Sequence, residues 1–271
     1  MTLRRFDMLM VVPSGVEGRQ GSGQALGQRS GQVRALVIVP TYNERENLPV
    51  LVEELMRQPN VRVLVVDDQS PDGTGDVADG LARTHAGRVD VMHRTGVRGL
   101  GRSYIDGIAR GIHEPVDVIC QMDADLSHDP RHLQALIAAT GHADVVIGSR
   151  YVTGGAIRNW PRRRLLLSRL ANIYIRQITR LNARDCTSGY RCWRREALAA
   201  MPLDHFISDG YSFLVEMLFV AAGQGCRIAE VPITFVERRQ GESKLSRAVL
   251  LESALTPWRL IARGRSSQNR P

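Results

Sequence analysis

Five short runs rich in β-branched residues recur along the chain, separated by stretches with helical periodicity. The runs are RALVIVP (34–40), VRVLVVDD (61–68), RVDVMHR (88–94), VDVICQMD (116–123) and ADVVIGSR (143–150). Alternating strand and helix units are typical of a mostly parallel sheet with helices on both faces. The pattern therefore predicts an α/β fold whose central sheet is covered by helices.

Polar segments follow the predicted strands and read PTYNE, DDQSPDG, DAD and GSR. Because ligands of such sheets bind outside the carboxyl ends of the strands, we expect these segments to form one site. Asn43 and Glu46 have the capping-box spacing of a following helix, which leaves Tyr42 and Glu44 to face a ligand.

Two carboxylates, Asp123 and Asp125, stand two residues apart at the end of the fourth run. Residues i and i+2 of an extended chain point to the same face, so the two charges repel unless a cation lies between them. A divalent cation with oxygen ligands, Mg²⁺ or Mn²⁺, satisfies such a pair. The alternative is a solvated acidic turn before a helix that starts near Pro130, with Asp129 as its N-cap.

His128 and His132 have the i, i+4 spacing of a helical zinc site. The glutamate of an H-E-x-x-H motif is absent, however, and Asp129–Pro130 starts a new helix between the two histidines. We therefore predict surface histidines. The first run is not followed by G-x-G-x-x-G and the chain has no Walker lysine, which disfavours a dehydrogenase and a P-loop enzyme.

Arginine supplies almost all of the positive charge, since the formal net charge is +8 and Lys244 is the only lysine. Such a surface suits phosphates or anionic lipid headgroups, although an arginine-rich base composition of the genome gives the same bias. The cysteines, at 120, 186, 192 and 226, have neither zinc-site spacing nor the density of a disulfide scaffold. They are predicted to be buried free thiols in a reducing compartment.

The chain divides into three predicted parts. Residues 1–33, rich in Gly, Ser and Gln, are predicted to be a disordered extension, 34–264 a folded domain and 265–271 a disordered tail. No stretch reaches the roughly 20 apolar residues of a membrane-spanning helix, and the apolar part of the N-terminus is too short for a signal peptide. The segment 162–181 places Arg162, Arg169 and Arg176 seven apart, which fits an interfacial helix or a surface helix packed on a core.

Seven collinear segments between about residues 34 and 250 resemble the dolichyl-phosphate and polyprenyl-phosphate mannose synthases of the family-2 glycosyltransferases. They read PTYNERENLP, VVDDQSPDGTGDVA, GLGRSYIDGI, MDADLSHDP, VIGSRYVTGG, SGYRCW and FVERRQGESKLS. The resemblance implies a GT-A fold, the Rossmann-like fold of nucleotide-diphospho-sugar transferases. It also implies metal-dependent transfer of mannose from GDP-mannose to a polyprenyl monophosphate, with inversion.

The same resemblance implies the site residues. Donor binding would involve Pro40, Tyr42, Glu44, Val66, Asp68, Asp123, Ala124, Asp125, Arg238 and Lys244. Asp68 would accept a hydrogen bond from the nucleobase of the donor. Asp123 and Asp125 would hold the metal. The catalytic residues would be these two aspartates with Arg238 and Lys244.

An acceptor loop and amphipathic helix are implied at 152–182. The acceptor phosphate would be bound by Arg150, Arg164 and Ser168. Ser127 stands where some relatives have a Gln that also reaches the metal. Because a polyprenyl phosphate is already an anion at neutral pH, its oxygen needs no catalytic base.

Some relatives append transmembrane helices and others rely on a membrane partner, and this chain resembles the second kind. A peripheral enzyme at the cytoplasmic face of the membrane, with a separate integral membrane partner and no nucleic acid, is therefore expected. Transfer of glucose or another sugar to the same lipid is the main alternative. A non-catalytic basic membrane-surface binder is a more distant one, and the acidic pair at Asp123 and Asp125 argues against it.

Overall fold

The computed structural model describes residues 32–206, 208, 210–237 and 254–263, and nine strands lie within them. The strands are β1 (Ala35–Thr41), β2 (Val61–Asp67), β3 (Val89–His93), β4 (Val118–Gln121), β5 (Val145–Ser149), β6 (Ala156–Arg158), β7 (Arg191–Arg194), β8 (Ile228–Pro232) and β9 (Thr234–Val236). The first five coincide with the five apolar runs, so those predictions are confirmed.

Helices connect the strands of the main sheet. They are α1 (Asn47–Met56), α2 (Thr74–Thr84), α3 (Leu100–Gly111), α4 (Leu133–Ala139), α5 (Arg162–Thr179), α6 (Arg195–Ala199) and α7 (Gly210–Gly223). Residues 254–263 form a further helical segment. A short 3₁₀ turn at Pro130–His132 precedes α4, and the Asp129 carboxylate accepts a hydrogen bond from the Arg131 amide. The predicted N-cap at Asp129 is therefore confirmed.

The main sheet has seven strands in the order β3-β2-β1-β4-β7-β5-β8. The pairs β1–β2, β2–β3, β1–β4 and β5–β8 are parallel, whereas β7 runs antiparallel to both of its neighbours, β4 and β5. A separate parallel pair, β6–β9, lies outside this sheet. The parallel strands direct the loops after β1, β2, β4 and β5 to one edge, as the sequence predicts.

Two hydrophobic cores cover the two faces of the sheet. Successive residues of β1 alternate between them: Val37 and Val39 pack with α1, whereas Leu36 and Ile38 pack with α3 and α7. Gly107 lets α3 lie close to β1, because a Cβ atom at this position would be 2.7 Å from the Ile38 Cγ2. These contacts fix the strand ends that carry the polar loops.

A disulfide joins two of the four cysteines. Cys120 of β4 and Cys192 of β7 are direct partners in the antiparallel ladder, with Cα atoms 4.2 Å apart, and their sulfurs are bonded. The prediction of four free thiols is therefore wrong for this pair. Cys186 and Cys226 are free, but only Cys186 is buried.

Most of the predicted extension 1–33 and all of the predicted tail 265–271 lie outside the described residues. Within the described part of the chain, no helix combines the length and the apolar character that crossing a membrane requires.

Candidate active site at the carboxyl edge of the sheet

The loop after β4 carries Asp123 and Asp125, both partly buried. The Tyr104 hydroxyl of α3 donates to Asp123 Oδ1 over 3.1 Å, and the Asp123 amide donates to His128 Nδ1 over 3.2 Å. The Asp125 carboxylate accepts from the Ser127 amide over 3.1 Å. The acidic segment is therefore an ordered loop in which both side chains and main chain are held by neighbours.

Gly189, just before β7, borders the Asp123 carboxylate. A Cβ atom at this position would lie 3.4 Å from each carboxylate oxygen, so the missing side chain leaves that side of Asp123 uncrowded. The Asp123 side chain keeps 35% exposure. The aspartate is thus braced from the protein side and accessible from the solvent side.

The oxygen donors of this loop fit Mg²⁺ or Mn²⁺. No group of three or more His, Cys, Asp or Glu side chains suited to a metal ion occurs among the residues that the structure describes. Mg²⁺ is usually held by one or two carboxylates, several waters and substrate phosphates, which two aspartates can satisfy. Ser127 Oγ is buried and has no hydrogen-bond partner in the described structure, so it offers one more oxygen in the same loop.

Tyr104 was missed by sequence reasoning. Its side chain is fully buried, and burial, followed by the charge of Asp123, raises the pKa of its hydroxyl well above the ordinary value. The phenol therefore remains protonated and can act as a donor to the carboxylate. The signal in the sequence was a tyrosine on the buried face of α3, since buried tyrosine hydroxyls usually find a partner.

The prediction of surface histidines is wrong. His128 is only 2% exposed and stacks on Tyr190 with ring centroids 5.2 Å apart. His132 is partly buried, and its Nε2 accepts from the Thr234 amide of β9 over 3.1 Å. With a ring nitrogen of each bonded to a main-chain amide, the two histidines tie the acidic loop to its surroundings.

The predicted nucleoside contacts lie on β1, β2 and the loops after them. Pro40 and Val66 are direct partners in the parallel ladder, and Val66 is fully buried in the core, so a ligand contact from Val66 would come from its backbone. The Tyr42 hydroxyl accepts from Arg98 over 2.6 Å, and the Glu44 carboxylate accepts from Asn47 over 2.8 Å.

Asp68 is 6% exposed and forms an ion pair with Arg94, while its Oδ2 accepts from the Gly99 amide over 2.8 Å. Both of its oxygens are therefore bonded within the protein, and contact with a base remains a prediction. Ala124, another predicted donor contact, is 3% exposed and belongs to the core.

The predicted cap at Asn43 is wrong. Helix α1 begins at Asn47 with Glu46 at the cap position, and no side chain caps it. Asn43 instead adopts a left-handed conformation with φ of 60°, and its amide donates to Ser70 Oγ. The turn after β1 is thus tied to the loop after β2.

The predicted acceptor residues share a cluster of aromatic side chains. Arg150 is 8% exposed and forms two hydrogen bonds of 2.7 Å to the carboxylate of Asp185. Burial acts to raise the pKa of Asp185, but the charge and hydrogen bonds of Arg150 outweigh it, so the pKa lies below the ordinary value. Arg150 is therefore held as one partner of a buried ion pair.

Arg164 and Ser168 project from α5. The Arg164 guanidinium lies 4.1 Å from the ring centroid of Trp160 and forms an ion pair with Glu237. Ser168 Oγ accepts from the Tyr151 hydroxyl over 2.7 Å. The three predicted acceptor residues are connected through Tyr151 and Trp160, over whose rings the Arg150 guanidinium also lies, at 5.4 and 5.8 Å.

Phe235 of β9 joins the acidic loop to this cluster. Its ring lies 5.6 Å from His128 and 5.5 Å from Trp160, measured between centroids, and the Arg150 guanidinium lies 5.4 Å from it. Phe235 and Trp160 were not singled out in the sequence. They connect the acidic loop to the arginine cluster through ring contacts.

Two predicted residues, Arg238 and Lys244, lie outside the described residues. Their roles stay predictions.

Helix α5 confirms the predicted helical segment and exposes much apolar surface. Asn172, Ile175 and Thr179 are buried. The exposed apolar side chains on this helix are Leu166, Leu167, Leu170, Ile173 and Tyr174. The Tyr174 hydroxyl receives a hydrogen bond from Trp258 Nε1 over 2.9 Å, and Trp258 is 58% exposed. The helix is therefore packed on the core by a narrow face only.

Comparisons with known proteins agree with this architecture. The family profile described as Glycosyl transferase family 2 matches residues 36–201. The chain is 45% identical over 263 residues to the polyprenol monophosphomannose synthase of Mycolicibacterium smegmatis, covering 96% of this chain and 98% of the relative. It is 48% identical over 234 residues to the undecaprenyl-phosphate mannosyltransferase of Micrococcus luteus, covering 85% and 96%.

Among solved structures, the chain resembles glucosyl-3-phosphoglycerate synthase from Mycobacterium tuberculosis in complex with Mg²⁺ and uridine diphosphate. The TM-score is 0.60 at 18% identity, over 88% of this chain and 80% of that chain. This likeness concerns the fold, and the expected GT-A architecture is confirmed. The resemblance to polyprenyl-phosphate mannose synthases is confirmed by the two relatives.

Proposed function

The chain belongs to glycosyl transferase family 2, and on this basis we propose that it transfers mannose from GDP-mannose to a polyprenyl monophosphate. The product would be polyprenyl-phosphate mannose, formed with inversion at the sugar C1. Two relatives at 45% and 48% identity are named for mannose and a polyprenyl-type phosphate, which supports mannose over glucose.

The observation that carries the proposal is the position of the carboxylate pair relative to the arginine cluster. The Asp123 amide is bonded to His128, whose ring contacts Phe235. Phe235 in turn contacts Trp160, the ring that lies against the Arg164 guanidinium. A cation held by carboxylates suits a diphosphate, whereas arginines suit a phosphate directly. The two anionic substrates would thus approach the sugar from separate sides.

The acceptor supplies its own nucleophile. The second pKa of a phosphate monoester is about 6, so its oxygens are charged at neutral pH without a protein base. The protein then has to align the acceptor oxygen with C1 and stabilise the charge on the departing nucleoside diphosphate. Arg238 and Lys244 are proposed to contribute to that stabilisation.

Asp123 and Asp125 would hold the divalent metal. When bound, Mg²⁺ or Mn²⁺ would supply charge neutralisation on the leaving diphosphate. Tyr104 fixes the orientation of the Asp123 carboxylate through its hydroxyl, and His128 fixes the Asp123 main chain through its Nδ1. These contacts keep the loop in place before the donor binds.

Arg164 and Ser168 would bind the acceptor phosphate. Arg164 is paired with the partly exposed Glu237, so it would exchange this carboxylate for the phosphate while staying stacked on Trp160. Arg150 would act from its fixed ion pair with Asp185, adding positive charge while holding the loop after β5.

We also propose peripheral association with the cytoplasmic face of the membrane, assisted by a separate integral membrane protein. The acceptor of both relatives is a lipid by name, and the exposed apolar face of α5 lies beside the acceptor residues. A helix with arginines on one face and leucines on another suits the membrane interface.

The test offers radiolabelled GDP-mannose, UDP-glucose and GDP-glucose in parallel with a short-chain polyprenyl phosphate and Mg²⁺, and measures label in the organic phase. We expect product from GDP-mannose alone. The double variant Asp123→Asn/Asp125→Asn, checked for folding by its thermal melt, serves as the inactive control. Product from a glucose donor at an equal rate would replace mannose in the proposal, and no lipid product from any donor would reject it.

A further inference from the structure

A basic cavity of about 400 Å³ lies between α5 and the loop after β5. Its lining residues include Arg150, Arg169, Arg176 and Arg184, together with residues 152–155. Neither Arg164 nor Ser168 lines it. Tyr151 does, and its hydroxyl donates to Ser168, so this tyrosine connects the cavity to the acceptor cluster. The cavity is therefore a neighbour of the proposed acceptor site.

Three arginines of the cavity have no carboxylate partner among the described residues. Within the described residues, no carboxylate forms an ion pair with Arg169, Arg176 or Arg184, and Arg176 Nε is buried without a hydrogen-bond partner. Of the nearby carboxylates, Asp185 is paired with Arg150, and Glu230 accepts from the main-chain amides of residues 184 and 185. Three guanidinium groups thus converge where an anion could be bound.

The cavity opens beside apolar surface. Ile173, which is 47% exposed, forms part of its wall, and Leu166 and Leu170, at 59% and 53% exposure, lie on the adjoining face of α5. A ligand that fits both surfaces carries a phosphate and hydrocarbon chains. One guanidinium group can donate two parallel hydrogen bonds to the oxygens of a phosphate. The apolar face of α5 is suited to acyl chains.

We propose that this cavity binds the phosphate of an anionic membrane glycerophospholipid and thereby orients the acceptor site toward the bilayer. Arg150 lines the cavity as well, but its guanidinium is held by Asp185, and neither Arg164 nor Ser168 lines it, so the occupant is distinct from the acceptor. The inference rests on the proposed function only in taking the acceptor to be a membrane lipid.

The test compares Arg169→Glu with Arg83→Glu, a variant with the same charge change on the exposed face of α2. Sedimentation with vesicles of equimolar phosphatidylglycerol and phosphatidylcholine measures binding, and pure phosphatidylcholine vesicles give the background. We expect Arg169→Glu to lower the partition onto anionic vesicles by about tenfold or more, since each basic residue near an anionic surface contributes several-fold. Arg83→Glu should lower it by less than threefold, which is roughly the long-range effect left after screening.

Two further measurements separate the sources of phosphate. Glycerol phosphate, titrated at constant ionic strength, should bind the parent far more weakly than the vesicles do; equal affinity would reassign the cavity to a soluble phosphate. With a short-chain polyprenyl phosphate in detergent, Arg169→Glu should keep the parent kcat and KM. A raised acceptor KM would merge the cavity with the acceptor site, and equal vesicle binding by the two variants would reject the proposal.

If Arg169→Glu showed no cooperative thermal unfolding transition, Arg169→Gln and Arg176→Gln would replace it, with Arg83→Gln as the control. The same results would then support or reject the proposal. Vesicle binding does not depend on turnover. Absence of mannosyl transfer would therefore count against the proposed function alone, and equal vesicle binding against the cavity alone.

Discussion

Replacement of Tyr104 by phenylalanine tests how the acidic loop is held. Tyr104→Phe removes one hydroxyl, which donates to Asp123 Oδ1 over 3.1 Å, and retains the ring that stacks on Phe213 with centroids 6.3 Å apart. The Asp123 side chain is 35% exposed, so water can replace the lost donor. We therefore expect the variant to fold.

The expected effect is on metal affinity. A hydrogen bond to a charged group contributes about 1.5–3 kcal/mol, and loss of a partner that orients a metal ligand typically lowers affinity by about 10- to 100-fold. Partial replacement by water places Tyr104→Phe near the lower end, at about tenfold weaker binding of Mn²⁺. The kcat at saturating metal should fall less than the affinity.

Tyr190→Phe is a matched control. Tyr190 is also fully buried, and its hydroxyl contacts the main-chain oxygen of Asp129 at 3.5 Å instead of a carboxylate. Electron paramagnetic resonance of unbound Mn²⁺, recorded in the presence of GDP and without turnover, gives the dissociation constants. Equal constants for the parent protein, Tyr104→Phe and Tyr190→Phe would refute the proposed role of the hydroxyl.

Four other substitutions test the remaining parts of the site. Asp125→Asn, or excess EDTA with the parent, should abolish transfer while the melting temperature of the metal-free protein stays the same; turnover in EDTA would show that no metal is needed. Arg164→Ala should raise the KM for polyprenyl phosphate by about ten- to a hundredfold and Lys244→Ala the KM for GDP-mannose, from the loss of a charged phosphate contact. The same kinetic change in both variants would contradict this division. Asp185→Asn should destabilise the fold by about 3–5 kcal/mol at pH 7, since it leaves Arg150 buried without its partner. Because the folded-state pKa of Asp185 is lowered, its contribution is complete above the ordinary pKa of about 3.9 and is lost as the pH falls through the folded value. The difference in urea midpoint between parent and variant should therefore shrink in acid, and a constant difference would contradict the assignment.

The sequence predicted correctly those elements that depend only on residues close together in the chain. The five β-branched runs became β1 to β5, and Asp129 became a cap because its carboxylate reaches an amide only two residues away. Strand β7 has no such pattern, since RCWR carries arginines at both ends and Arg191 is fully buried. Tertiary contacts stabilise β7 instead. The Arg191 guanidinium donates to the main-chain oxygens of residues 186, 188 and 214.

The same reason explains the errors at single residues. Cys120 and Cys192 are 72 residues apart, and only the insertion of β7 beside β4 makes them neighbours. His128 is polar by type, but the rings of Tyr190 and Phe235 cover it, and both come from later parts of the chain. Residue types and spacing predicted the carboxylate pair as a candidate metal site, and the family resemblance implied the arginines. The side chains that position both groups depend on long-range packing.

The antiparallel strand β7 also sets the distance between the loops that follow β4 and β5. Because it lies between β4 and β5, the loop that carries Asp123 and the loop that carries Arg150 leave the sheet two strand spacings apart, about 9–10 Å, instead of one. Adjacent parallel strands would have brought the two loops within about 5 Å of each other, too close for a sugar ring to lie between them. The gap across which a glycosyl group would pass is therefore a property of main-chain hydrogen bonding, and a one-residue slip of β7 would leave this gap unchanged while reversing which of its side chains face each core.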